Sequence, residues 1–198
     1  MNTSNPYDGE RRAGSVGFPL PDVELKITDP DTGVTLPQGE IGIIEVRGPN
    51  VFKGYWQMPE KTAEELRADG FFITGDLGRI DGDGYVHIVG RGKDLIISGG
   101  YNIYPKEVEQ VLDAQSGVLE SAVIGVPHPD FGESVVGVLV ARDDAVLDID
   151  AIRAATAKAL AKFKQPQRLF VLPELPRNTM GKVQKNVLRE TYAGTFTG

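Results

Sequence analysis

The apolar residues of this chain change their spacing once, near residue 92, and any fold must accommodate a different pattern on each side of that point. From about Gly17 to Gly90 the sequence reads as short strands joined by tight turns. Val23, Leu25 and Ile27 in VELKITD alternate onto one side, EIGIIEVRG is rich in β-branched residues, and DGDG (Asp81 to Gly84) lies between two apolar runs as a hairpin turn. One helix is expected at PEKTAEELRADG, with Pro59 in its first turn, Ala63 and Leu66 as a weak apolar stripe, and Gly70 as its terminator. Beyond Gly92 the pattern becomes mixed. Pro105 followed by Val108, Val111 and Leu112 predicts a helix with one apolar face, and SAVIGV and SVVGVLVAR are strands of the buried type. Asp148 can cap a helix carrying Ile149, Ile152, Leu160 and Phe163, after which RLFVL is a further strand. The expected fold class is therefore α+β: a mainly-β portion over residues 1–92, then a small α+β domain over residues 93–198 with a short sheet and flanking helices.

Composition narrows the function classes. A chain of 198 residues has room for two cores, and 40% hydrophobic with 25% charged residues is ordinary for a globular protein. The formal charge of −7 argues against a general nucleic-acid or membrane-surface binder, so any anion site must be local. Without cysteine there is no disulfide framework, thiol nucleophile or thiolate zinc site, which fits a reducing, cytoplasmic location. No apolar run approaches membrane-spanning length, and the polar start MNTSNPYDGERR lacks the features of a signal peptide.

Several constellations could carry chemistry. Gly181-Lys182 in PRNTMGKVQK has the core of a P-loop, but no glycine lies five positions before Gly181 and Val183 replaces the Ser or Thr that would hold Mg²⁺. On these residues alone an exposed turn lysine is the better reading. Asp81 and Asp83 resemble the start of a calcium loop, yet Val86 stands at the sixth position and Gly92 at the twelfth, so a hairpin turn accounts for them better. His87 and His128 lie far apart without metal-ligand spacing, and no metal site is expected in these residues. Asp76 follows Gly75 at the end of an apolar strand, where it could accept hydrogen bonds from vicinal hydroxyls such as those of ribose, or cap a turn. Arg91 and Lys93 stand between glycines and precede Ser98-Gly99-Gly100, which suits a hinge or a surface linker.

Taken in order, GEIGIIEVRGPNVFKGYWQMPEKT, TGDLG, GRGKDLIISGGYNIYPKEVE, KFKQP and PRNTMGK resemble the adenylate-forming enzymes: acyl-CoA synthetases, luciferases and nonribosomal adenylation domains. The lysine after Arg91 and the NIYPKEVE continuation are most similar to the acyl-CoA synthetase branch, and NPYDGERRAGSVGFPLP is similar to malonyl-CoA synthetases. The resemblance implies that residues 1–92 are the β-rich end of a large AMP-binding domain and residues 93–198 a small mobile C-terminal domain hinged at Lys93. It implies an AMP-forming acid-thiol ligase, with a carboxylic acid such as malonate or a fatty acid, ATP with Mg²⁺, and CoA as reactants. Residue by residue, Asp76 would bind ribose hydroxyls, Arg91 would contact the same nucleotide region, and Lys182 would be the catalytic lysine of adenylation. Ser98, Gly99 and Gly100 would border the pantetheine channel. Acetylation of Lys182 is an implied regulatory event, because it would delete the charge that adenylation needs.

Two motifs of that family, a TSGTTGxPK-type phosphate loop and YGxTE, do not occur in these residues. Since the absent parts would hold the ATP phosphates, Mg²⁺ and most of the acyl pocket, the chain alone is expected to be inactive. The alternative is a non-catalytic binding, regulatory or homodimerising module that retains the small-domain fold.

Overall fold

The computed structural model describes residues 1–143 and 145–196. The chain divides into two compact units, the first ending at Lys93 and the second beginning at Asp94.

In the first unit β1 (Thr3–Ser4) pairs with β2 (Phe18–Pro19), and β3 (Glu24–Thr28), β4 (Gly42–Arg47), β5 (Phe72–Ile80) and β6 (Val86–Arg91) form an antiparallel sheet in sequence order. The alternation read in VELKITD feeds one face, where Ile27, Ile44, Val46 and Val86 are buried together. DGDG is the β5–β6 turn, with the Asp81 and Gly84 amides donating to Tyr85 O and Asp81 O at 2.9 and 3.0 Å. The Asp81 carboxylate is engaged by Arg12 at 2.7 Å and His87 at 2.8 Å, which ties the N-terminal segment to this hairpin.

The helix between β4 and β5 is shorter than its sequence suggests. α1 spans Pro59–Glu65 and buries nothing: Ala63 is exposed, and Leu66 leaves the helix in an extended conformation to bridge Phe72. Pairing with the sheet overrides a weak helical stripe there, and Gly70 closes the following turn by donating to Arg67 O at 2.9 Å.

The second unit contains β7 (Ile96–Ser98), β8 (Tyr101–Ile103), α2 (Pro105–Asp113), β9 (Val118–His128), β10 (Gly132–Ala141), α3 (Ile149–Ala159), β11 (Arg168–Leu172) and α4 (Lys185–Tyr192). β10 is the central strand. It pairs antiparallel with β9 from Gly132↔His128 to Val140↔Glu120, parallel with β11 from Val136↔Arg168 to Val140↔Leu172, and with β7 at Gly132↔Ser98. One face carries Val123, Val135 and Leu139 against Val108 and Leu112 of α2 and Ile152 of α3. The other carries Ile124, Val126, Val136 and Val138 against Leu188 of α4 and against Leu175, which precedes that helix. Burial on both faces is why SAVIGV and SVVGVLVAR read as unbroken apolar runs.

Asp148 caps α3 as its sequence predicts, accepting from Ala151 N–H at 3.0 Å. The helix ends at Ala159, however, so Leu160 is its extended C-cap and Phe163 belongs to a separate 3₁₀ turn, Lys162–Lys164. The β7–β8 hairpin and α4 had no clear periodic signal, being three-residue strands and a helix with one buried residue, Leu188.

One buried charge matters for the first sheet. Glu45 on β4 has no exposed side-chain surface and stands opposite Lys26 on β3. Its Oε1 accepts from Thr28 Oγ1 and Arg67 Nε, both at 2.8 Å, and Oε2 is left to Lys26 Nζ at 3.4 Å. Burial pushes the carboxyl up, but Arg67, Thr28 and Lys26 together hold it below its ordinary value. A depressed native pKa means that the stability it contributes is complete above the ordinary carboxylate range and is lost as pH falls through the native value. Because Lys26 and Arg67 still reach water, Glu45→Gln should cost about 2 kcal/mol, less than the roughly 3–5 kcal/mol of a fully buried pair. Urea unfolding measures it: the variant should show a lower midpoint at neutral pH, and a smaller further loss on acidification than the parent.

Candidate functional site

In the first unit the structure brings Asp76 and Arg91 together. They face each other across β5 and β6, with Arg91 Nε 3.0 Å from Asp76 Oδ1. Thr74 Oγ1 accepts from the Asp76 amide at 3.1 Å and donates to Ile44 O at 2.8 Å, which ties this stretch to β4. Asp76 is three-quarters buried while Arg91 is half exposed. Burial pushes the Asp76 carboxyl above its ordinary value and Arg91 opposes that rise. No other described residue bonds to this carboxylate, so it keeps acceptor capacity for a pair of hydroxyls. Lys93 follows, itself exposed, in a 3₁₀ turn, Gly92–Asp94.

In the second unit, Ser98-Gly99-Gly100-Tyr101 is an ordered two-residue hairpin turn instead of a flexible linker. Gly99 and Gly100 have φ of +55° and +82°, the left-handed values that a tight hairpin requires at both central positions. A Cβ on Gly99 would meet only Phe131, at 3.6 Å, so conformation selects glycine here and crowding within the chain does not. The turn is fastened by Gly99 N–H donating to Phe131 O at 2.9 Å.

This turn borders a groove of about 370 Å³ where β10 passes between β7 and β11. Its walls include Tyr101, Phe131 and Phe163, with Tyr101 and Phe163 stacked at 4.5 Å. Ser134 and Gln167 supply polar groups, and the buried Ser134 Oγ has no hydrogen-bond partner among the described residues. Neither Ser134 nor Phe163 stood out in the sequence. Ser134 opens an apolar strand, and Phe163 had been placed on the continuation of α3.

Lys182 is exposed on a turn between β11 and α4. The cations nearest to it in sequence are spoken for: Arg177 meets Glu120, Lys185 meets Glu109 at 2.6 Å, and Arg189 meets Asp94. Lys182 pairs with no carboxylate among the described residues. Its turn lies beside Glu120, whereas the Ser98–Gly100 turn lies beside Gly132. Those two positions mark opposite ends of the β9–β10 ladder, roughly 25 Å apart at about 3.3 Å per residue. Among the described residues no cluster of three or more His, Asp or Glu is placed to hold a metal ion, and no helix is long and apolar enough to cross a membrane.

The AMP-binding enzyme family matches residues 1–56, and the AMP-binding enzyme C-terminal domain matches residues 107–182. The chain belongs to the AMP-binding enzyme family. A putative acyl-CoA ligase, YdaB of Bacillus subtilis, is 44% identical over 96% of this chain, which covers 37% of that protein. The ATP-bound structure of MatB from Rhodopseudomonas palustris is 62% identical over 99% of the chain and 39% of its own, with a TM-score of 0.94. The apo structure of MatB, 63% identical over the same shares, has a TM-score of 0.74. The chain thus spans less than two fifths of the length of these relatives.

Removal of the guanidinium isolates its effect on the neighbouring acid. Arg91→Gln should raise the Asp76 pKa further, since burial then acts unopposed. A carboxyl ¹³C titration reads this directly, and an unchanged or lower value would contradict the pairing.

Proposed function

We propose that this chain works as the C-terminal part of an ATP-dependent acyl-CoA synthetase, supplying its mobile adenylation lysine and its thioester-forming turn. The observation that carries this reading is the placement of two exposed turns at opposite ends of one rigid ladder. Lys182 stands at one end, and Ser98-Gly99-Gly100 at the other. A single reaction centre can receive only one of them at a time, which suits a reaction of two steps.

In the first step a carboxylate oxygen attacks the α-phosphorus of ATP, forming an acyl-adenylate and releasing pyrophosphate. Asp76 accepts hydrogen bonds from the ribose hydroxyls, and Arg91 steadies the same region while favouring the ionised form of Asp76. Lys182 brings an uncompensated cation to the oxygens on which negative charge gathers. In the second step the CoA thiol displaces AMP. Rotation about Lys93 withdraws Lys182 and presents the Gly99–Gly100 turn, beside which the pantetheine arm passes. The adjoining groove supports this assignment, because aromatic walls with a few polar groups suit an arm that alternates methylenes and amides. ATP, its Mg²⁺ and the acid would be held mainly by parts of the enzyme outside these residues, and malonate is the candidate acid.

MatB also supports a mobile unit. Its ATP-bound and apo structures match the same 99% of this chain with TM-scores of 0.94 and 0.74, so the two differ from each other over that span.

Two substitutions in a full-length ligase carrying these residues test the division of labour. Lys182→Gln should reduce acid-dependent ATP–pyrophosphate exchange by on the order of 10²–10³, yet leave thioester formation from supplied acyl-adenylate intact. Gly99→Leu should do the reverse. Equal loss of both half-reactions in each variant would overturn the assignment.

A further inference from the structure

The loop that carries Lys182 is exposed from Arg177 to Lys182, so no buried packing holds its shape. Hydrogen bonds do so instead. Gln184 N–H donates to Pro176 O at 2.8 Å, and Arg177 and Val183 form an antiparallel bridge, which together close the loop at its base. Further in, Asn178 N–H donates to Lys182 O at 3.0 Å and Gly181 N–H donates to Asn178 O at 2.9 Å. The Asn178 side chain fills the centre of this turn. Its Oδ1 accepts from Met180 N–H at 3.0 Å and from Lys182 N–H at 2.9 Å. Two N–H groups converging on one atom also fix which end of the amide points inward, since the NH₂ group could accept neither.

Gly181 permits the final bend with φ of +76°, and a Cβ there would touch nothing. From outside, Arg177 Nη1 donates to Gly181 O at 2.7 Å while its other nitrogen meets Glu120 on β9. The backbone on both sides of Lys182 is therefore referenced to the sheet before any ligand arrives.

We infer that Asn178 is a positioning residue for Lys182: its carboxamide oxygen templates the turn that presents the lysine, through the Lys182 amide itself. This rests on the reading of Lys182 as the adenylation lysine. The role is separable from folding. The two amides that Asn178 satisfies are exposed, so water replaces the lost bonds in Asn178→Ala and global stability hardly moves. What is lost is preorganisation, and a lysine that samples many positions meets the developing charge less often.

In a full-length ligase carrying these residues, Asn178→Ala should lower acid-dependent ATP–pyrophosphate exchange about tenfold, as expected for two lost hydrogen bonds of modest net worth. Thioester formation from supplied acyl-adenylate and the melting temperature should stay at parental values. Asn178→Asp keeps the acceptor and should restore most of the exchange. In the 198-residue chain, amide hydrogen exchange at Met180 and Lys182 should quicken by about tenfold or more in Asn178→Ala. Unchanged amide protection would overturn the templating role, as would an Asp variant no better than Ala or an equal loss of both half-reactions. Exchange activity that survives Lys182→Ala would instead sink the catalytic reading, and the positioning role with it, even where the amide data uphold the turn.

Discussion

The β9–β10 ladder is the constraint on which the second unit depends. Its strands are apolar on both faces, so neither face can be left to water, and a layer must cover each one. α2 and α3 cover the side of Val123 and Leu139, and α4 with the segment around Leu175 covers the side of Ile124 and Val138. Covering both faces leaves the chain only the ladder's ends for exposed turns. Exposed turns on a rigid scaffold are thereby sorted by topology: one turn enters beside Gly132 and the other returns beside Glu120. A strand cannot shorten, so their separation is fixed, and the proposed exchange of one turn for the other would require movement of the whole unit.

Charge follows an equally simple rule. Glu45 and Asp76 are both removed from bulk water on the same sheet, yet their carboxyls shift in opposite directions. Burial pushes both up. Glu45 receives Arg67, Thr28 and Lys26 and ends below its ordinary value, whereas Asp76 has Arg91 alone and stays above it. The first is a structural acid with a cation facing each oxygen, and the second keeps acceptor capacity of the kind a ligand uses. Among the basic residues of the second unit the same contrast separates Lys185, held by Glu109, from Lys182 three residues earlier, which pairs with no carboxylate among the described residues.

Legibility in the sequence tracked burial. Residues 122–126 and 135–141 announced two strands because each run is apolar but for one glycine, and Pro105 and Asp148 marked helix starts by conformation and capping chemistry that need no tertiary context. The end of α1 was misplaced because Leu66 is decided by a partner strand, and the end of α3 because Phe163 is decided by stacking on Tyr101. Asp76 and Arg91 were each singled out, but their pairing across fifteen residues depends on a hairpin register that periodicity does not supply. The Ser98–Gly100 stretch was visible as two glycines suited to a hinge or a linker, whereas the structure makes it a hairpin turn in which both glycines have positive φ.

The boundary itself shows how little backbone a proposed rotation requires. Arg91 is held in the β6 ladder and by Asp76, which fixes the chain up to that residue. Asp94 is held by Arg189, four residues beyond Lys185 and therefore on the same face of α4. Lys185 grips Glu109 of α2, so the helix that follows the Lys182 turn clamps the first residue of its own unit. Between these two anchored points stand only Gly92 and Lys93. A change in their dihedral angles would carry the ladder, both turns and α4 together as one body, and this is the economy that would let a short, charged segment act as the proposed pivot.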